Sequence, residues 1–386
     1  MLSGALAVLV SGQISPADAL HAIDISVMLF LFGMFVVGEA LVRSGWLAEL
    51  SRWFFSRAGN PDQLVLFILF GMGIGAAVLM NDTVAVIGTP LVLALAADRK
   101  ISPKLLLLSL AVAITTGSVM SPIGNPQNLL VAVNSQMASP FVTFALYLAV
   151  PALISLAAAY VILRWVYRTE FPAPAPEQAG QADQPEILRD ERLTLLAKCS
   201  LAIILLLAAA NIIASLVTGS MLVTLPVIAI AAALPVLLFS RERVAILRAI
   251  DWCTLVFFAA MFVLMASVWQ TGYFQSLVSG PMLSSVPLLL ATSVIVSQFI
   301  SNVPFVALFQ PLILQAGTGT ARLMALAAGS TIAGNLTILG AASNVIIIQN
   351  AEKQGETLTF FEFLKVGVPL TVIQLAIFAG WLAVVG

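Results

Sequence analysis

The side chains able to bind or transfer anything in this chain fall into four short polar clusters, each set in a long apolar stretch. Two are led by asparagine: Asn81-Asp82-Thr83, and Asn302 ahead of Val303-Pro304. The others are SPIGNPQN (121–128) and GNLTILGAASN (334–344). Their chemistry is that of amides, hydroxyls and bare backbone. Proline removes a backbone donor and breaks a helix, and amide side chains can take up the hydrogen bonds that the break releases. A half-helix ending in such a cluster presents free N–H or C=O groups, and so partial charge without an ionised side chain. The pattern nominates Asn81, Thr83, Ser121, Gly124, Asn125, Asn128, Asn302, Asn335, Thr337, Gly340, Ser343 and Asn344 as binding positions for a small polar solute. Asp82, the one acid inside a cluster, is nominated to carry a coupling proton or cation, because an ionisable group among apolar residues is costly and functional by default.

The residue inventory argues against other chemistries. One histidine (His21) and two cysteines (Cys199 and Cys253) offer no Cys/His metal site and no disulfide framework. No nucleophile–base constellation stands out, so neither an enzyme nor a bound cofactor is expected. The formal net charge of −1 suggests no nucleic-acid partner. Of the 386 residues, 61% are hydrophobic and 9% charged, and the mean hydropathy is +1.07. A soluble domain carries about 25% charged residues. This composition belongs to an all-α polytopic protein, expected as a multi-pass protein of the cell's inner (plasma) membrane with the lipid bilayer as its surroundings. The opening MLSGALAVLVSGQIS lacks the basic region of a signal peptide. It aligns with a segment inside a longer apolar helix, so the first helix is expected to be short, or the natural start to lie upstream.

The clusters recur. Residues 4–51 align with 231–278 without a gap, pairing Asp24 with Asp251, Met34-Phe35-Val36 with Met261-Phe262-Val263, and Gly45 with Gly272. Further on, Asn81 and Pro90 match Asn302 and Pro311, and Gly124 and Asn128 match Gly340 and Asn344. Loop charge orients the two copies, since short loops rich in Lys and Arg stay cytoplasmic. Loop 12–23 has neither, while its counterpart 239–250 has Arg241, Arg243 and Arg248. Loop 43–60 has Arg43, Arg52 and Arg57, while 270–287 has none. The same segment is basic in one copy and bare in the other. The expected fold is therefore two inverted repeats, each with a re-entrant hairpin and a broken transmembrane helix.

Following the charges gives a first membrane repeat over 1–169. It comprises helices 1–12 and 22–43, a hairpin 61–97 with its tip at Asn81, a helix 105–136 broken at Ser121–Asn128, and helix 141–167. Residues 170–220 supply a polar cytoplasmic linker (170–192) and one connecting helix (193–217), whose single crossing inverts the second copy. The second repeat, 221–386, has helices 222–239 and 251–270, a hairpin 284–316 with its tip at Asn302, a broken helix 322–352, and helix 360–385. That makes nine crossings and two hairpins, although hairpin arms of 15–20 apolar residues are also long enough to span. Asp24 and Asp251 read as helix N-caps, and Glu39 as the i,i+4 partner of Arg43. Paired interruptions in paired copies describe a secondary transporter better than a channel.

NDTVAVIGTPLVLALA (81–96), the Asn302-Val303-Pro304 tip and AGNLTILGAASN (333–344) resemble the ion transporter superfamily, most of all its arsenite permease (ArsB) and NhaD-type antiporter branch, with citrate and other anion transporters as relatives. The resemblance covers nearly the whole chain. It implies two hairpins meeting two broken helices and an elevator-like motion. It also implies export of arsenite or antimonite in exchange for protons, in some systems with an ATPase subunit docked at the cytoplasmic face. By position, Asn81, Asp82 and Thr83 match that branch's acidic hairpin tip, and Asn302 and Pro304 its second tip. Ser343-Asn344 departs toward the carboxylate and sulfate transporters.

Arsenite near neutral pH is an uncharged trihydroxide, and clusters of Asn, Thr, Ser and Gln without Lys or Arg suit it. Chelation by three thiols is impossible with two cysteines. The alternatives are a sodium- or proton-coupled di- or tricarboxylate or sulfate transporter, to which Ser343-Asn344 points, and a sodium/proton antiporter, for which more buried acids than Asp82 would be wanted.

Overall fold

The computed structural model describes residues 1–171, 190–278, 280–317 and 319–386. The linker expected over 170–192 falls almost wholly outside them. Every regular element among the described residues is helical, and seven helices are long and apolar enough to cross a membrane: Ile25–Ser44, Pro61–Leu79, Asn81–Arg99, Pro140–Val166, Glu191–Thr218, Trp252–Gln270 and Phe360–Val385. Pro103–Ser118, Leu225–Phe239, Val286–Ile300 and Asn302–Gln315 are apolar but shorter.

Local chemistry sets the boundaries, and sets them alike in the two copies. The Asp24 carboxylate accepts from the Val27 amide at 3.1 Å, and that of Asp251 from the Thr254 amide at 2.9 Å, so both acids are N-caps. Gly45 and Gly272 end the helices that these caps begin, with left-handed φ of 65° and 69°. Glu39 pairs with Arg43 at 2.6 Å. The opening helix, Leu2–Val10, has nine residues here. Charge alone gave no sign that the basic loop 43–60 contains an amphipathic helix, Trp46–Phe55.

Two helical hairpins turn on a single residue each. Pro61–Leu79 reverses into Asn81–Arg99 at Met80, and Val286–Ile300 into Asn302–Gln315 at Ser301. Two helices are interrupted. Pro103–Ser118 stops and resumes as Pro126–Asn134, while Thr320–Ile332 passes through two 3-10 turns, Ala333–Asn335 and Ile338–Gly340, before resuming as Ala342–Glu352. Both arms of the first hairpin are 19 residues, about 28 Å of helix. Arm length therefore does not tell a hairpin from two spans; the docking of its tip on a helix break does.

Packing mirrors the sequence repeat. Ile25–Ser44 lies along Leu225–Phe239, and Leu2–Val10 along Trp252–Gln270, so the first helix of each copy packs on the second helix of the other. The second arm of each hairpin lies on the first half of its own broken helix and on the second half of the other copy's. The closing helices, Pro140–Val166 and Phe360–Val385, pack on one another. Ion pairs tie elements within this inner group: Lys104 to Glu362 at 2.5 Å, and Arg164 to Asp62. Arg43, with Glu39 and Glu242 at 2.6 and 3.6 Å, ties the outer helices together.

Candidate functional site

Each hairpin tip is seated on its own copy's helix break. The Asn81 amide N–H donates to the Gly124 carbonyl at 2.9 Å. At the matched place the Asn302 side chain donates to the Gly340 carbonyl at 3.0 Å. The residue before each asparagine is forced into a backbone region that is almost glycine's alone: Met80 has φ 68° and ψ 146°, and Ser301 has φ 70° and ψ 158°. Asn81 also reaches across, its Nδ2 donating to Ser343 Oγ of the second break at 3.4 Å.

The breaks share one internal design. Asn128 Nδ2 donates to the carbonyls of Ser118, Val119 and Ser121 at 3.0, 3.1 and 3.0 Å, satisfying the end of the preceding half-helix. Asn344 Nδ2 does the same for the matched Gly334 and Thr337 carbonyls, at 2.7 and 3.5 Å. The loop folds back so tightly that a Cβ on Gly124 would lie 2.3 Å from the Ser118 oxygen, and one on Gly340 would lie 2.5 Å from the Ala333 oxygen. Only glycine fits either place.

In their side chains the breaks differ. In the first, Asn125 caps Asn128 N at 2.8 Å and donates to Ser118 Oγ at 3.0 Å. Thr331 of the other broken helix receives Asn125 and Gln127, both at 3.3 Å, and approaches Asn128 Oδ1 at 3.2 Å. This break is satisfied by its own protein. The Ser121 hydroxyl accepts from the Ile123 amide at 3.3 Å. Around the second break, Thr115, Asn302, Asn335 and Asn344 are buried, and an oxygen of each has no hydrogen-bond partner. The three asparagines spend their nitrogens on the protein and keep their oxygens free. Asn335 donates to Thr116 Oγ1 and Gln374 Oε1, both at 3.0 Å, and Gln374 donates to the same Thr116 oxygen at 2.9 Å. Thr337 donates to Gln298 Oε1 at 2.8 Å.

The sequence clusters did not mark Thr115, Thr116, Gln298, Thr331 or Gln374. Gln374 carried a signal, a lone amide in the 26-residue apolar helix Phe360–Val385; the threonines, small and common in membrane helices, carried none. Asp82 and Thr83 lie on the flank of the first tip. The Asp82 carboxylate has no hydrogen-bond or ion-pair partner among the described residues. Thr83 faces helix Ile25–Ser44 at Gly38, where a Cβ would come within 2.8 Å of Thr83 Oγ1. No group of His, Cys, Asp and Glu among the described residues is arranged to hold a metal.

Helical hairpins plugging interrupted helices inside a polytopic bundle define a secondary transporter, built around non-helical backbone that must line a site or be buried in protein. The chain belongs to the citrate transporter family CitMHS, whose model it matches over residues 1–321. It is 27% identical to a 46 kDa membrane protein of Mycobacterium leprae, covering 97% of this chain and 91% of the relative. It is 28% identical to the silicon efflux transporter LSI3 of Oryza sativa subsp. japonica, covering 97% and 90%. Among solved structures, the YdaH transporter of Alcanivorax borkumensis shares the fold, with a TM-score of 0.56 at 17% identity over 93% of this chain and 84% of that one.

Proposed function

We propose that the chain exports a small, uncharged, hydroxylated solute, arsenite or antimonite first among them, in exchange for protons carried by Asp82. One observation carries this reading: the oxygens left free by Thr115, Asn302, Asn335 and Asn344 surround a break that has no Lys, Arg or His. Acceptor oxygens welcome a ligand rich in hydrogen-bond donors, and a trihydroxide is one. They repel a bare anion. Silicon in neutral water is likewise an uncharged hydroxide, so the rice silicon efflux transporter makes silicic acid the next candidate. Asn81 and Ser343, already in contact across the copies, complete the rim.

In this proposal the two copies are inverted, as their exchanged helix contacts and opposite loop charges suggest. The hairpins, broken helices and closing helices move as one body against Ile25–Ser44 and Leu225–Phe239. Asp82, free of partners and next to the Gly38 contact, takes a proton on one side of the membrane and yields it on the other. No ATPase subunit is required.

The family's description favours a second reading, in which the free oxygens hold a cation that in turn binds a carboxylate such as citrate. Proteoliposomes separate the two. The expected result is proton-driven movement of arsenite, antimonite or silicic acid without added metal, with Asp82→Asn losing the pH dependence of transport while retaining solute binding. Citrate uptake requiring sodium or a divalent cation would establish the second reading. An unchanged pH profile in Asp82→Asn would remove Asp82 from coupling.

A further inference from the structure

We propose that the protein holds one anionic phospholipid between the amphipathic helix Trp46–Phe55 and the first hairpin, with an acyl chain in an apolar pocket and the phosphate on Arg57. The pocket, of about 330 Å³, lies between the two elements. That is the size of a small-ligand site. Leu50, Trp53 and Phe54 form one wall. Gly71, Met72, Gly75 and Leu79 of the first hairpin arm form the opposite wall, to which the two glycines, one helical turn apart, contribute no side chain. A Cβ on Gly75 would meet nothing nearer than Val84 Cγ2, at 3.8 Å. At Gly71 the Phe54 ring already lies 3.2 Å from where a Cβ would sit, so the hollow opens at Gly75.

Charge stands at its rim. The Arg57 guanidinium lies 3.6 Å over the ring of Trp53, which lines the pocket. Arg57 has no ion-pair partner among the described residues. An amphipathic helix with a basic flank, in a loop that the positive-inside rule assigns to the cytoplasm, lies in the membrane interface and attracts anionic lipid. The pocket is too apolar for a free phosphate, and its unpaired cation distinguishes an anionic from a zwitterionic lipid. Val84 and Ile87 also line it, on the arm that carries Asp82 and Thr83. A bound lipid thus couples that arm to the amphipathic helix, independently of the transported solute.

The test uses the purified full-length chain in detergent, titrated with dioleoylphosphatidylglycerol or dioleoylphosphatidylcholine and monitored by thermal unfolding and native mass spectrometry. Phosphatidylglycerol is expected to raise the melting temperature by ~2 °C or more and to leave one lipid bound, whereas phosphatidylcholine does neither. Gly75→Leu fills the pocket and Arg57→Gln removes the rim charge; each abolishes the phosphatidylglycerol-specific shift. Arg248→Gln, on the separate basic helix Arg243–Ala249, retains it. Equal shifts with both lipids, retention of the shift in Arg57→Gln, or its loss in Arg248→Gln would overturn the proposal. Should Gly75→Leu fail to fold, Arg57→Gln decides the matter alone.

Discussion

Replacing Asn128 and Asn344 by alanine, one at a time, separates scaffold from binding site in a fold whose copies look equivalent. Asn128 serves three carbonyls at 3.0 to 3.1 Å and is wholly buried. A buried carbonyl left without a donor costs about 1–3 kcal/mol, so three of them, shared by two N–H groups, put Asn128→Ala at roughly 4 kcal/mol. Asn344 serves one carbonyl well, at 2.7 Å, and a second at 3.5 Å, the limit of any useful interaction. Its loss is therefore about 2 kcal/mol. At ~2 °C per kcal/mol for a chain of this size, Asn128→Ala should melt some ~4 °C below Asn344→Ala. Differential scanning fluorimetry in one detergent without solute measures this. Solute binding should take the opposite order: Asn344→Ala, which removes a free oxygen, loses stabilisation by the transported solute, while folded Asn128→Ala keeps it. Equal melting temperatures for the two variants would refute the division of roles. So would an Asn128→Ala that keeps its melting temperature and loses the solute response, since Asn128 would then be a ligand and not a brace.

Contacts at the tips give two more expected outcomes. Gly38→Val drives a side chain into Thr83, whose Oγ1 lies 2.8 Å from even a Cβ at that position, so transport should fall at least ~10-fold, a loss equivalent to 1.4 kcal/mol. Thr83→Gly in the same chain should restore part of it, and a double variant no better than Gly38→Val would show that the contact does not govern movement. Ser301→Gly relieves a φ of 70° at an exposed position and should stabilise the protein by about 1 kcal/mol; thermal melting checks it, and a loss of stability would mean that the serine side chain itself supports the tip.

The caps and interruptions were legible because they depend on short-range chemistry. Asp24, Asp251, Gly45 and Gly272 act on neighbours within a few residues, and proline and glycine announce a break wherever they cluster. What each polar residue does there was not legible. Asn128 and Asn344 occupy matched positions in matched clusters, yet Thr331 reaches one break and leaves Thr115 unpartnered at the other. That difference arises between segments some two hundred residues apart and involves threonines inside unbroken apolar runs. The helix Trp46–Phe55 was hidden for another reason: reading arginines as loop markers identified the side of the membrane and passed over the spacing of Leu50, Trp53 and Phe54 between them.

The exchange of contacts between copies bears on how the protein is made. When residues 103–134 leave the ribosome, their second half can rest on Ile25–Ser44 but still lacks two of its packing partners, Asn302–Gln315 and Thr320–Ile332. The Gln127 amide and the Asn128 amide oxygen likewise await Thr331, about two hundred residues downstream. Such sequence-distant contacts are slow to form, and until they do a broken helix with exposed amides sits in lipid, where unsatisfied polar groups are expensive. Synthesis thus passes through a vulnerable interval that closes when the second broken helix is inserted. Membrane proteases and insertion chaperones should find the nascent first half a better substrate than the finished protein, and a chain truncated near residue 220 should be degraded even though it keeps five helices long and apolar enough to span.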